Sequence, residues 1–206
     1  MNALNTALQQ TQTTTKETLL SLPHQLKAQL PLSTKLAQQI ADQRQTIQNI
    51  LEGKDHRLMI VTGPCSIHDP ISALEYAQKL QQLQSQVSDQ IFLVMRAYIE
   101  KPRTTIGWKG FLYDPNLDNS SNMQLGLEKS RELYLQIIDM GLPIAAEILS
   151  PMATAYFDDL LAWGAIGART SESQIHREIS SHMPYSIGFK NGTDGSIQIA
   201  LDAIQS

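Results

Sequence analysis

Short apolar runs recur along the chain from residue 57 onward, separated by longer amphipathic segments. The runs are rich in Val, Ile and Leu, too brief for helices, and continuously apolar rather than alternating. This texture is typical of strands that are buried on both faces of a parallel sheet. The five predicted strands are RLMIVTG (57–63), IFLVMRAY (91–98), LPIAAEIL (142–149), AIGART (165–170) and YSIGFKNG (185–192).

Apolar residues also recur at helical spacing between and before these runs. Helices are predicted over residues 33–53, 72–87, 124–140, 153–163 and 196–205. Ser33 is a suitable N-cap for the first helix, Gly53 closes it, and Gly141 ends the third. Residues 1–22, rich in Thr, Gln and Asn, have no sustained period and are predicted to be a mobile or partner-dependent arm.

Strand–helix alternation leaves two architectures open, a doubly wound sheet and a (β/α)8 barrel. Nearly every run ends in a chemically active side chain, and a barrel gathers its functional residues from the ends of several strands. A doubly wound sheet would instead concentrate them at one Gly-rich turn. TGPCSIHD is not such a turn, because Pro64 has no amide N–H. The pattern therefore predicts an α/β (β/α)8 TIM barrel with about five of its eight βα units in this chain.

Six cations lie at or just after the ends of the predicted strands. They are Arg96, Lys101, Arg103, Lys109, Arg169 and Lys190. They could be independent surface charges, but barrel strands would collect them around one mouth. The chain as a whole carries a net charge of −4, so a cationic mouth indicates a small anionic ligand rather than nucleic acid. Arginine forks bind phosphate and carboxylate, and lysine acts as a point charge or an acid.

Cys65 is the only cysteine. It cannot form an internal disulfide, which favours a reducing compartment and a cytoplasmic protein. No secretory signal or transmembrane run is visible, so no membrane association is expected. The thiol is either a small buried apolar group or, beside a cationic mouth, a nucleophile or metal ligand. His68 and His176 are not expected to complete a metal site with it.

Four motifs carry a family resemblance. In order, they are GPCSIHDP, EKPRTTIGWKG, WGAIGART with SESQ and HRE after it, and GFKNGTDG. From about residue 20 to the last residue, the chain resembles the class I, aromatic-feedback-inhibited 3-deoxy-D-arabino-heptulosonate 7-phosphate (DAHP) synthases. The resemblance implies an N-terminal extension over residues 1–54 with dimer and regulatory contacts, and a partial catalytic (β/α)8 barrel over residues 55–206.

The implied reaction joins phosphoenolpyruvate, D-erythrose 4-phosphate and water to give DAHP and phosphate. It is the first step of the shikimate pathway to chorismate and the aromatic amino acids. The family needs a divalent metal (Mn²⁺, Fe²⁺, Zn²⁺ or Co²⁺). Cys65 matches its cysteine ligand, and the other ligands (a His, a Glu and an Asp) are expected in later strands.

The resemblance also implies roles for the strand-end residues. Arg96, Lys101 and Lys190 would hold phosphoenolpyruvate chiefly at its carboxylate, and Lys101 would help to polarise the aldehyde. The phosphoenolpyruvate phosphate site would comprise Arg169 with the backbone of Gly167 and Ala168, and Glu147 would be an acidic residue in the same pocket. Erythrose 4-phosphate would be bound by Pro102, Arg103 and Thr104.

Three positions depart from the family pattern. Ser171 is a mild change in the segment that begins with Arg169. Ser150 stands where an Asp is usual, beside the family's inhibitor pocket, so the sequence does not identify an aromatic amino acid inhibitor. Tyr113 replaces a usual Asn.

Two alternatives stay open at this stage. One is the related 3-deoxy-D-manno-octulosonate 8-phosphate synthase, although its aldose loop is Asn-Arg-Ser-Ser-like where this chain has KPRTT. The other is a truncated, non-catalytic chain that pairs with intact subunits or folds poorly, since ALDAIQS ends within a helical pattern. We expect this chain alone neither to hold the metal tightly nor to turn over substrate. The full-length form is expected to be a homodimer or homotetramer.

Overall fold

Five parallel strands form the centre of the structure, a computed structural model that describes residues 18–206. The strands are β1 (Leu58–Thr62), β2 (Ile91–Arg96), β3 (Ile144–Glu147), β4 (Trp163–Ile166) and β5 (Ser186–Phe189). They pair in sequence order, each parallel to the next. Residues 1–17 of the predicted N-terminal arm lie outside the described residues.

Helices precede the sheet and connect its strands. They are α1 (Pro23–Gln29), α2 (Thr34–Leu51), α3 (Pro70–Val87), α4 (Met123–Asp139), α5 (Pro151–Phe157), α6 (Gln174–His182) and α7 (Gln198–Gln205). Helix α2 contacts both β1 and β5, the two outer strands, so the sheet curls around one end of this helix. No helix in the described part of the chain is both long enough and apolar enough to span a bilayer.

The two faces of the sheet pack against separate apolar clusters. One face carries Met59, Val61, Phe92, Val94, Ala145 and Trp163 around Ile47 of α2. The opposite face carries Leu93, Met95, Ile144, Ala146 and Ile166 against α3, α4 and α5. Because side chains alternate between the faces of a strand, covering both faces requires continuously apolar runs. The prediction of parallel, doubly covered strands is confirmed.

Local signals set the ends of α2 and α4 close to where the sequence placed them, whereas α3 begins at Pro70, two residues before its predicted start. The Ser33 side chain accepts a hydrogen bond from Leu36 N (3.3 Å) at the start of α2. Gly53 and Gly141 follow α2 and α4 with φ of +72° and +86°, a conformation in which glycine avoids the Cβ clash. At the start of α3 the cap is Asp69, while His68 is an exposed neighbour.

The fourth predicted strand and the helix before it differ from the structure. Helix α5 ends at Phe157 rather than at residue 163, and β4 begins at Trp163 rather than at 165. A turn follows α5, and Ala162 N already donates to Ile144 O on β3 (2.9 Å). The buried residues at 160–162 therefore lead the chain into the sheet instead of extending the helix. Helix α6 lies between the helices predicted at 153–163 and 196–205 and was not among the predicted ranges.

A buried arginine fastens helix α1 to α4 and α5. Arg131 on α4 has no exposed surface, and its guanidinium donates to Asp159 Oδ1 and Oδ2 (2.9 and 2.7 Å). It also donates to Leu30 O (2.8 Å) and Tyr156 O (3.0 Å). One side chain therefore joins the end of α1 to α4 and to the segment after α5.

Asp159→Asn should destabilise the fold strongly, because it leaves the fully buried Arg131 charge without its carboxylate. Removing one partner of a buried pair typically costs about 3–5 kcal/mol. The matched control is Asp158→Asn, since Asp158 forms a partly exposed pair with Lys27 and such a pair contributes roughly 0–1 kcal/mol. Urea unfolding of both variants measures the difference, and equal losses would contradict the assigned role of Arg131.

Candidate anion-binding site

Cys65 and Lys101 meet where β1 and β2 end. The Lys101 ammonium donates to Cys65 Sγ at 2.8 Å, and Arg96 Nη2 donates to Cys65 O at 3.0 Å. Parallel register pairs Thr62 with Met95, so the residues that follow the two strands emerge side by side. The sequence placed these residues at strand ends, and the structure brings them into direct contact.

The Cys65 thiol is exposed and has a lowered pKa. The main cause is the hydrogen bond from Lys101, followed by the Lys101 charge, with smaller contributions from Arg96 and Lys190. A nearby positive charge stabilises the thiolate, the form that acts as nucleophile or metal ligand. Within residues 18–206, the Cys65 thiol is therefore not a small buried apolar group.

The aromatic ring of Tyr98 contacts two of the cations, Arg96 and Lys190. The Arg96 guanidinium carbon lies 4.0 Å from the centroid of the Tyr98 ring, and Lys190 Nζ lies 5.7 Å from it. The ring face therefore attracts both charges and holds them at one place. Sequence reasoning missed Tyr98, although it lies two residues after Arg96 and so shares its side of an extended segment.

Glu147 ends β3 and faces the same cations. Burial raises its pKa, and four positive charges oppose that rise. These are Lys190, Arg96, Lys101 and Arg169. A Cβ on Gly167 would lie only 2.2 Å from Glu147 Oε1, so only glycine at this position lets the carboxylate reach the turn after β4. We call Arg96, Lys101, Arg169 and Lys190 the cation cluster.

Ser171 joins the turn after β4 to the end of β5. Its buried hydroxyl can donate to Gly167 O (3.0 Å) or to Lys190 O (2.7 Å). Lys190 N donates in turn to Ile166 O (3.1 Å). The Gly167–Arg169 backbone and Lys190 are therefore held in one rigid arrangement, which explains how a serine is accommodated at this position.

The segment Lys101–Lys109 forms a separate exposed loop. Lys101 N donates to Lys109 O (2.9 Å), which closes the loop, and Arg103 Nε donates to Trp108 O (3.0 Å) inside it. Arg103 and Thr104 are exposed. Arg103 and Lys109 are therefore near the cation cluster along the chain but are not part of it. Their charges are not among those that affect the pKa of Cys65 or of Glu147.

The cation cluster lacks direct ionic partners. Within residues 18–206, none of its side chains lies within 4.0 Å of a carboxylate oxygen. Arg96 Nε is in addition a buried donor without an acceptor in that part of the chain. Buried donors are almost always satisfied in proteins. Unpaired positive charge together with a free donor is the property of a site that binds an anion.

The described residues do not by themselves form a metal site. No group of three or more His, Cys, Asp or Glu side chains within residues 18–206 is arranged to hold a metal ion. Both ring nitrogens of His176 are engaged, with Ser173 Oγ (2.7 Å) and Leu149 O (2.8 Å). His176 is therefore a structural residue, and Cys65 is the one candidate ligand of the predicted set.

Fold and site together define a class: parallel βα units with a candidate anion-binding site at the carboxyl ends of their strands. Residues 30–206 match the model of the DAHP synthetase I family, and the chain belongs to this family. This confirms the resemblance drawn from the four motifs.

Curated relatives and a solved structure agree with the family assignment. The chain is 52% identical over 192 residues to the Tyr-sensitive phospho-2-dehydro-3-deoxyheptonate aldolase of Escherichia coli K12, covering 93% of this chain and 54% of that protein. It is 50% identical over 184 residues to the Phe-sensitive enzyme of the same organism, covering 89% and 53%.

A phospho-2-dehydro-3-deoxyheptonate aldolase from Francisella tularensis SCHU S4 matches the fold with a TM-score of 0.90 at 48% identity. That match covers 93% of this chain and 56% of the other. The chain therefore spans about half the length of the relatives it matches, and the prediction of a partial (β/α)8 barrel is confirmed.

Lys101→Met should raise the pKa of the Cys65 thiol, because it removes the hydrogen bond and the charge that stabilise the thiolate. We expect the pH midpoint of iodoacetamide alkylation, measured with a chelator present, to move upward. The control is Lys79→Met, which removes an exposed lysine from α3 and should leave the midpoint in place. A midpoint shared by Lys101→Met and the unmodified chain would contradict the contact.

Proposed function

We propose that the full-length protein condenses phosphoenolpyruvate with D-erythrose 4-phosphate and water, giving DAHP and phosphate. The observation that supports this most is the cation cluster without carboxylate partners, set around the Cys65–Lys101 contact at the carboxyl ends of the strands. Phosphoenolpyruvate carries a carboxylate and a phosphate, and both are ligands that arginine and lysine bind well. Family membership supplies the reaction class.

Phosphoenolpyruvate would lie across the cation cluster. The carboxylate would be bound by Arg96, at the end of β2, and by Lys101 and Lys190, which follow β2 and β5. The phosphate would be bound by Arg169 together with the backbone of Gly167 and Ala168. The Tyr98 ring holds Arg96 and Lys190 in place before the substrate arrives. Charges fixed in advance stabilise developing negative charge without reorganisation during the reaction.

The aldehyde would approach from the Lys101–Lys109 loop, where Pro102, Arg103 and Thr104 would hold the sugar phosphate. A carbon–carbon bond forms between C3 of phosphoenolpyruvate and the aldehyde carbon, and the aldehyde oxygen gains a proton. Lys101 would polarise that oxygen and supply the proton. Water adds at C2 and releases one proton. The phosphate then leaves with the electron pair of its C–O bond, and the hydroxyl group at C2 loses the second proton to become the ketone.

A divalent metal ion, when bound, would act as a Lewis acid on the aldehyde oxygen. Cys65 would provide one ligand as a thiolate, and the other ligands would come from residues outside this chain. The lowered pKa of Cys65 fits this role, because a coordinating cysteine must lose its proton. The choice among Mn²⁺, Fe²⁺, Zn²⁺ and Co²⁺ depends on those missing ligands.

Feedback control by an aromatic amino acid is part of the same proposal. The relatives are named Tyr-, Phe- and Trp-sensitive. Beside Ser150, a cavity of about 380 Å³ opens between α5 and α6, with Pro151, Thr154, Ile179 and Met183 in its lining. We propose that this cavity takes the inhibitor, and that residues 1–54 supply contacts between subunits of a homo-oligomer.

A chimera tests the reaction, because this chain spans only about half of its relatives. Residues 1–206 are joined to the part of the E. coli Tyr-sensitive relative that follows the matched region. With Mn²⁺ present, we expect phosphate release from phosphoenolpyruvate with erythrose 4-phosphate and much less with arabinose 5-phosphate. Lys101→Met in the same chimera is the inactive control. Preference for arabinose 5-phosphate would instead favour the octulosonate synthase.

Reciprocal variants of that chimera test the two substrate sites. Arg103→Ala should raise the KM for erythrose 4-phosphate, and Arg169→Ala should raise the KM for phosphoenolpyruvate. Losing one charge-assisted contact to an anion costs roughly 1.5–3 kcal/mol, or about ten- to a hundredfold in affinity. Initial rates with each substrate varied give the constants. If Arg103→Ala changed only the KM for phosphoenolpyruvate, the two sites would be wrongly assigned.

A further inference from the structure

Glu100 is a buried carboxyl group directly before Lys101 in the chain. Only 5% of the residue is exposed. The Tyr113 hydroxyl donates to Glu100 Oε1 (3.1 Å), and Ser150 N donates to Glu100 Oε2 (3.4 Å). Tyr113 and Ser150 are two of the positions that depart from the family pattern, and the structure brings both to this one side chain.

The carboxyl group lines a small and largely apolar cavity. Ile148, Phe157 and Leu161 are among the other lining residues. The cavity volume of about 20 Å³ holds roughly one water molecule and no larger ligand. No lysine or arginine of residues 18–206 lines it. Glu100 is therefore separate from the cation cluster, although it adjoins Lys101 in sequence.

The titratable groups that face Glu100 are acids or phenols. Glu147 faces it from β3, Tyr113 from the segment before α4, and Tyr134 from α4. Helix α5 and its cap contribute the uncharged Ser150 and Thr154. The Lys101 ammonium itself donates to Cys65 Sγ. The cation cluster opposes protonation of Glu147, whereas no lysine or arginine of residues 18–206 lines the cavity around Glu100. Of the two carboxyls, Glu100 is therefore the one whose surroundings more strongly favour the protonated form.

The pKa of Glu100 agrees with this geometry. Burial raises it to about 7, the hydrogen bonds from Ser150 N and Tyr113 oppose the rise, and the charge of Glu147 adds to it. A group whose pKa is higher in the closed structure stabilises that structure when protonated. Between about pH 4.5 and pH 7, closure around Glu100 therefore weakens as the pH rises, and above about 7 the loss is complete.

We propose that Glu100 is a positioning residue for Lys101, and that its uncharged carboxylic acid anchors the Lys101 loop so that the ammonium stays on Cys65. Ionisation of Glu100 weakens the anchor. The backbone shows how the anchor is transmitted: Lys101 N donates to Lys109 O (2.9 Å), and Leu112 N donates to Ile99 O (3.0 Å). The importance of Lys101 rests on the proposed function, whereas the anchor is a property of the chain itself.

Amide hydrogen exchange of the 206-residue chain tests the anchor. Peptides over residues 99–112 are followed by mass spectrometry from pH 5.5 to 8, with rates corrected for the intrinsic pH dependence. We expect their protection to fall roughly tenfold as the pH rises and to level off above about 7. Glu100→Gln, an uncharged isostere, should keep the protection high at every pH. If both chains showed the same profile, the proposal would be wrong.

Two tyrosine variants separate an anchor from a general loss of packing. Tyr113→Phe removes a donor that stabilises the ionised carboxylate, so the midpoint of the wild-type transition should move to higher pH. Tyr134→Phe removes a hydroxyl from the same cavity, but that hydroxyl donates to Ala97 O (2.6 Å), and the midpoint should stay in place. An unmoved midpoint in Tyr113→Phe, or equal shifts in both, would overturn the assignment.

The experiment also distinguishes this proposal from the proposed function. Flat exchange profiles together with an active chimera would reject the anchor and leave the synthase reaction standing. A pH-dependent loop together with a chimera that releases no phosphate would reject the reaction and leave the anchor standing. Helix α2 (Thr34–Leu51) is the internal reference, and a loss of protection there parallel to that of the loop would mean global unfolding rather than release of the anchor.

Discussion

Parallel pairing of neighbouring strands is the constraint on which the site depends. Because Thr62 pairs with Met95 and Ile166 with Phe189, the residues after these strands emerge at one edge of the sheet. The turn after β1 has no room for a side chain at residue 63, because a Cβ on Gly63 would lie 2.4 Å from Arg96 O. The chain can therefore pass close to β2 and deliver Cys65 to Lys101 only because residue 63 is glycine.

Gathering four cations at one edge has an electrostatic cost. Two unit charges about 7 Å apart repel by roughly 2 kcal/mol at the effective dielectric of a protein surface. Within the described structure, the ring of Tyr98 and the charge of Glu147 reduce this repulsion. The Glu147 carboxylate does so without an ion pair shorter than 4.0 Å to the cluster. The remaining excess of positive charge favours a ligand with two anionic groups, which matches the substrate we propose.

The sequence predicted the sheet well because strands covered on both faces must be continuously apolar, and this pattern is visible without a structure. It predicted the start of β4 less well, since the inclusion of Trp163 in this strand depends on hydrogen bonds to β3. Tyr98 and Glu100 were missed for different reasons. Tyr98 follows the alternation of an extended segment and could have been found, whereas burial of an acid beside Lys101 depends on α4 and α5.

Within residues 18–206, the chain contains all the residues proposed to bind phosphoenolpyruvate but only one proposed metal ligand, Cys65. The proposed seat for phosphoenolpyruvate combines β2, β3, β4 and β5, which are all present and joined by hydrogen bonds. Cys65 follows β1, which like β5 is an outer strand that pairs on one side only within residues 18–206. Closing a sheet of this kind into a barrel requires further strands between β5 and β1. In the function proposed above, the described strands gather the residues that bind the anion, and the remaining metal ligands are proposed to belong to strands between β5 and β1.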